Sequence, residues 1–214
     1  MPSPRIVIVG AGGVGGPFGA ALARGGHDVT FIARGPDLAA MQKDGLHIAG
    51  ARGDFHMTPC PATDDPASLG IADYVIFTPK LWDVENTGAF IKPLVGPETA
   101  VIPIQNGIDA AERLAPILGE GRVMGGVAVI NAVIEGPGRI RQMGSFQHFT
   151  FGELDGSTTP RAERLKALCD ALLVALKAVV EPFKLGPVGV ESDAVESDFH
   201  ELVLLLILRR WRAR

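Results

Sequence analysis

The chain has 214 residues, 47% of them hydrophobic and 21% charged, which suits a folded domain with a real core rather than a disordered segment. A formal net charge of -4 is the wrong sign for a general nucleic-acid binder, and no apolar run approaches the roughly 18 residues of a membrane span. The two cysteines, Cys60 and Cys169, have neither zinc nor redox spacing, so reduced thiols in a cytoplasmic protein are expected.

The N-terminus shows no signal-peptide pattern and enters "RIVIV" (residues 5–9), a β-branched run bounded by glycine that reads as a buried parallel strand. Small residues over 13–24 predict a helix closed by Gly25 and Gly26. A second strand (28–33) and a short helix (36–44) come next. "GLHIAG" and "GDFHMTP" predict a hairpin, and "ADYVIFTPK" (72–80) a third buried strand. A helix is expected within 82–94, a strand over 100–107 and a helix over 109–118. Strand and helix alternate with short connections, the pattern of an α/β doubly wound (Rossmann) sheet, mostly parallel. From Val123 two long strands joined by Gly-Pro-Gly suggest that the sheet finishes antiparallel. Thr159 then caps a helix beginning at Pro160, in which Leu165, Leu168, Cys169, Leu172, Leu173, Leu176 and Val179 form one apolar face. Pro182, Gly186, Pro187 and Gly189 mark a linker. The expected division is therefore a dinucleotide-binding domain over 1–180, then a linker and the start of a helical domain over 181–214.

Chemistry concentrates in "VIVGAGGVGG". Gly10, Gly12 and Gly15 have G-x-G-x-x-G spacing, and they sit between a strand and a helix, the context that gives the spacing meaning. Gly10 permits a tight turn, Gly12 lets the backbone approach a pyrophosphate, and Gly15 allows close packing of helix on strand. The helix terminus offers free amides and partial positive charge. A glycine-rich turn with no ligand is the plain alternative. An NAD site carries a carboxylate about 20 residues on, at the end of the second strand. Here "FIARG" has Arg34 instead, and no acid appears until Asp37. A guanidinium pairs with a 2′-phosphate through charge-assisted bonds, so NADP(H) is the expected cofactor. Lys80 and Asn106 close two further apolar strands, where open parallel sheets bind ligands. Lys80 suits a phosphate or carbonyl oxygen, and Asn106 suits a carbonyl, hydroxyl or amide. A solvated lysine and a turn asparagine are the corresponding alternatives.

The ordered stretches "GAGGVGG", "FIARGPDLAAMQKDGL", "VIFTPKLWD", "IQNGID", "GGVAVINAVIEGPGRI" and "FTFGELDG" together resemble the ketopantoate reductase (2-dehydropantoate 2-reductase) family. The resemblance runs from about residue 6 to about residue 173. It implies NADPH-dependent reduction of ketopantoate, or a similar 2-oxo acid, to the 2-hydroxy acid of pantothenate synthesis. On that resemblance Gly10, Gly12 and Gly15 hold the pyrophosphate, Arg34 the 2′-phosphate, Lys80 the cofactor side, and Asn106 lies between nicotinamide and substrate.

The family continues into a helical domain whose first helix supplies an essential lysine. Hydride arriving at a ketone carbon leaves charge on oxygen that an acid must neutralise. In the matching register "FHELVLLL" puts Glu201 at that lysine's place, and Lys184 lies among glycine and prolines. A truncated or frame-shifted member is the expectation, with two functional readings. One is a reductase; the other is an NADP(H)-binding module with little or no turnover. Leu202 to Leu208 are apolar all round, and a second subunit covering them would make a homodimer. The closing "RRWRAR" makes no groove for nucleic acid.

Overall fold

The computed structural model describes residues 3–50, 53–107, 109–170 and 177–180. In chain order these form β1 (Arg5–Val9), α1 (Gly15–Arg24), β2 (Asp28–Ile32), α2 (Gly35–Asp44), β3 (Leu46–Gly50), β4 (Phe55–Met57), β5 (Ala62–Thr63) and β6 (Tyr74–Phe77). Then come α3 (Val84–Phe90), β7 (Ala100–Pro103), α4 (Ala110–Leu118), β8 (Gly125–Gly136), β9 (Arg139–Gly152), α5 (Pro160–Asp170) and β10 (Lys177–Val180).

Five strands make the first sheet in the order β5-β2-β1-β6-β7, with every pairing parallel. Alternation along β1 explains its two buried faces. Ile6 and Ile8 pack with Phe18 and Leu22 of α1 and with Phe31 of β2. Val7 and Val9 face the other way, into the cluster of Val84, Leu114 and Val101. The chain runs outward from β1 through β2, then returns to β6 and β7 on the opposite side. That reversal opens a crevice beyond the carboxyl end of β1.

The long strands form their own mixed sheet instead of finishing the first one. β8 and β9 pair antiparallel. β9 then takes β3 in parallel along its first part and β10 in parallel along its last part. β3 and β4 make the expected antiparallel hairpin. Among the described residues one parallel bridge, Val101 to Val123, continues the first sheet toward β8. Phe149, Phe151 and Ile140 of β9 join the cluster around Phe18, so the second sheet covers the outer side of α1. This sandwiching accounts for the small residues of α1. A Cβ on Gly19 would lie 2.4 Å from the Phe31 ring, and one on Gly16 would lie 2.2 Å from Ile140 Cδ1.

α5 begins as expected, with Pro160 first and Thr159 Oγ1 accepting from the Ala162 amide at 3.4 Å. Leu165 and Cys169 are buried. The apolar period does not extend to Val179 as a helix: that residue lies in β10, paired beside Thr150 of β9. The β9 edge beyond β3 supplies backbone partners there, and a ladder of hydrogen bonds outweighs helix spacing. Arg161 fastens α5. Its guanidinium donates to both carboxylate oxygens of buried Glu153 at 2.7 and 2.5 Å and to the Gly121 carbonyl at 2.7 Å, while the Tyr74 hydroxyl donates to the Arg161 carbonyl at 2.9 Å. Leu172, Leu173, Leu176, Lys184, Glu201 and the run from Leu202 to Leu208 lie outside the described residues. Among the described residues no helix is long and apolar enough to cross a membrane.

Candidate cofactor site

Parallel strands bring their carboxyl ends to one edge, so the residues just beyond β1, β2, β6 and β7 converge there. Gly10 lies directly after β1 with φ +97°, a conformation that favours glycine. Its amide donates to the Ile32 carbonyl at 2.9 Å, joining the turn to β2. Gly15 is the tightest point: a Cβ there would lie 2.0 Å from the Gly10 carbonyl oxygen. Gly12 differs. A Cβ on it would meet only Ile134 Cδ1, at 3.8 Å, an ordinary contact that leaves its face open.

The loop has donors to offer. The amides of Ala11, Gly12, Gly13 and Val14 have no hydrogen-bond partner among the described residues. The first turn of α1 carries no acidic side chain. Free amides at the start of a 10-residue helix form an anion cradle, and a pyrophosphate fits it. One wall comes from the second sheet, where Ala132 lies against Gly13 and half-exposed Ile134 lies over Gly12.

Arg34 lies just past β2, and its side chain is 88% exposed. It reaches inward: Nη2 stands 3.6 Å from Oδ2 of Asp83, in the turn after β6. Since β1 lies between β2 and β6, this ion pair bridges the mouth above the glycine loop. Asp37, the first carboxylate after Arg34, is engaged elsewhere, its Oδ1 accepting from the Gly138 amide at 3.3 Å. Lys80 is exposed just beyond β6, and its carbonyl accepts from the Asp83 amide at 2.9 Å. Asn106 is exposed just beyond β7. The structure thus gathers Gly10, Gly12, Gly15, Arg34, Lys80 and Asn106 at one edge, while Glu201 lies outside the described residues.

Two residues of the site carry no sequence signal. Thr78 shares its hydroxyl hydrogen between the Val9 carbonyl at 2.8 Å and the Gly10 carbonyl at 3.1 Å, tying β6 to the loop. In sequence it is merely a threonine after an apolar run. Asp83 becomes visible only when the fold carries it opposite Arg34. Beside Asn106, both polar atoms of the Gln105 carboxamide are buried without a partner.

The thiols are not candidate nucleophiles. Burial pushes Cys60 up to about 11 and Cys169 up to about 12, so both stay protonated at neutral pH. A separate recess of about 290 Å³ in the second sheet is lined by His47, His56, Glu135, Arg139 and Arg141. There the two imidazoles stack with centroids 3.7 Å apart.

Known proteins match this chain in sequence and in fold. The family described as "Ketopantoate reductase PanE/ApbA" matches residues 6–156. An uncharacterized oxidoreductase of Bacillus subtilis, YkpB, is 32% identical over 78% of this chain and 54% of its own length. A 2-dehydropantoate 2-reductase of Mesorhizobium japonicum is 30% identical over 80% of this chain and 57% of its own. The chain spans about half the length of the curated relatives it matches. Among solved structures, a 2-dehydropantoate 2-reductase of Porphyromonas gingivalis superposes with a TM-score of 0.77 at 34% identity, over 83% of this chain and 64% of that one. D-mandelate dehydrogenase with NADH shares the fold at 22% identity and a TM-score of 0.69, over 82% of this chain and 56% of that one.

Proposed function

Because this chain belongs to the ketopantoate reductase PanE/ApbA family, we propose that it binds NADP(H) and serves the reduction of 2-dehydropantoate, or a similar small 2-oxo acid, to the 2-hydroxy acid in the cytoplasm. The single observation that carries the binding half is the row of unpartnered amides from Ala11 to Val14 beside the open face of Gly12. Those donors take the pyrophosphate. Arg34 takes the 2′-phosphate, as an exposed guanidinium at the end of β2, where the sequence has no acid before Asp37. Bound there, the nicotinamide would supply a hydride. Lys80 and Asn106 flank that end of the site just beyond β6 and β7, where an ammonium and an amide hold the cofactor and orient a carbonyl oxygen.

A second reading is favoured by one feature of the sequence: Glu201 stands where the family resemblance places an essential lysine. A carboxylate is the wrong charge for an oxyanion. On that reading the chain holds NADP(H) and turns substrate over slowly or not at all. On either reading, a homodimer formed through the apolar run from Leu202 to Leu208 is part of the proposal.

One experiment separates the readings. The protein is titrated with NADPH and with NADH, then mixed with NADPH and ketopantoate while nicotinamide absorbance is monitored. Tight NADPH binding with absorbance loss supports the reductase, and tight binding without loss supports the binding module. Absence of NADPH binding overturns both. Arg34→Ala is expected to weaken NADPH about ten-fold, the worth of one charge-assisted hydrogen bond, while leaving NADH within two-fold.

A further inference from the structure

The Arg34–Asp83 pair sets a carboxylate where the phosphorylated cofactor places its extra charge. Asp83 is not free to swing away. Its Oδ2 accepts from Thr87 Oγ1 at 3.0 Å and its Oδ1 from Asn86 Nδ2 at 3.4 Å, and its side chain is 26% exposed. Its amide donates to the Lys80 carbonyl at 2.9 Å, fixing the turn that carries it. Arg34, by contrast, is 88% exposed, with Asp83 its one ion-pair partner among the described residues. The exposed partner is the guanidinium and the anchored one is the carboxylate.

Any 2′-phosphate held by that guanidinium comes within a few ångströms of a fixed negative charge. It must also displace an ion pair already made. Both effects act on the phosphorylated dinucleotide and not on its unphosphorylated counterpart, whose ribose hydroxyl carries no charge and can donate to a carboxylate. We propose that Asp83 is a cofactor-selectivity residue: by holding Arg34 across the mouth of the glycine loop, it lowers the preference for NADPH over NADH. The inference rests on the reading of the site as an NADP(H) site. It adds a residue that opposes the phosphate on which Arg34 acts.

The test uses Asp83→Asn, which keeps an acceptor for Thr87 and an N-cap residue of comparable strength before α3. Dissociation constants for NADPH and NADH are measured by fluorescence titration at low and high salt, for the wild type, Asp83→Asn, Arg34→Ala and the double variant. The expected result is that Asp83→Asn tightens NADPH about five-fold at low salt while NADH stays within two-fold. The gain should shrink at high salt and fall in the Arg34→Ala background, where no ion pair is left to displace and only the charge of Asp83 opposes the phosphate. Unchanged or weakened NADPH binding in Asp83→Asn, or equal tightening of both cofactors, overturns the inference while leaving the NADP(H) site standing. A gain undiminished in Arg34→Ala also overturns it, because the ion pair then plays no part. Wild-type protein that binds neither dinucleotide overturns the functional reading, and this inference falls with it.

Discussion

Thr78 stands directly behind Gly10. Its hydroxyl lies 2.7 Å from where a Cβ on Gly10 would begin, and it donates to the Val9 and Gly10 carbonyls at 2.8 and 3.1 Å. One side chain thus limits what residue 10 can be and holds the turn in place. Thr78→Val keeps the shape, removes the hydroxyl donor and takes the Gly10 carbonyl's partner away, while the Val9 carbonyl keeps the Thr78 amide at 3.0 Å. It should lower stability by about 1–2 kcal/mol in a urea titration, whereas Thr78→Ser should stay close to wild type. NADPH affinity should fall with Thr78→Val and not with Thr78→Ser.

The glycines of the loop separate into two kinds. A Cβ on Gly15 would sit 2.0 Å from the Gly10 oxygen, so the backbone of strand or helix must move. Gly15→Ala is expected to cost roughly 3 kcal/mol in stability. Gly12→Ala meets only Ile134 Cδ1 at 3.8 Å and should melt within a degree or two of wild type. Its methyl occupies the approach to the amides, so NADPH should bind about ten-fold more weakly, the loss of one amide–phosphate bond. Thermal melts paired with NADPH titrations check both. A Gly12→Ala protein that binds normally would remove the cradle from the site.

Glu153 and Arg161 are a buried bidentate pair with side chains 8% and 18% exposed. Removing one partner strands the other charge, so Glu153→Gln is expected to cost about 3 kcal/mol. Arg161→Met alone should cost a similar amount, and the double variant less than the sum. A double-mutant cycle of urea midpoints measures the coupling, and additive losses would show that the pair holds nothing together.

Acid should weaken the fold in two stages. His47 is held below its ordinary value of 6.5, first by burial and then by the His56 ring and the Arg139 charge. The unfolded chain therefore takes up that proton first, and stability is lost as pH falls below 6.5. Glu85 is held down from 4.5 to about 2, first by its hydrogen bond from Arg113. Its contribution is present above 4.5 and is lost as pH falls from there toward 2. Urea midpoints measured against pH should decline in both windows. His47→Gln should flatten the upper decline, and Glu85→Gln the lower.

Much of the fold was legible along the chain because its signals are local. β-branched runs bounded by glycine gave β1, β6 and β7, and small residues before a double glycine gave α1. The hairpin of β3 and β4 and the cap at Thr159 arise from turn and capping chemistry. The second sheet was not legible, because strand spacing does not say which edge a strand will join. For the same reason Val179 read as helix and lies in β10.

The amino-acid sequence by itself determined the glycine spacing, the family resemblance and the arginine that stands where an acid would serve NAD. These depend on residue identity and short separations along the chain. Tertiary structure alone decided that Thr78 braces Gly10, that Asp37 turns away to Gly138, and that Asp83 faces Arg34 across the mouth. Those relationships join residues on different elements, far apart along the chain. Charge and hydrogen bonding act through distances in space, and only the sheet order β2-β1-β6 brings Thr78 behind Gly10 and Asp83 opposite Arg34.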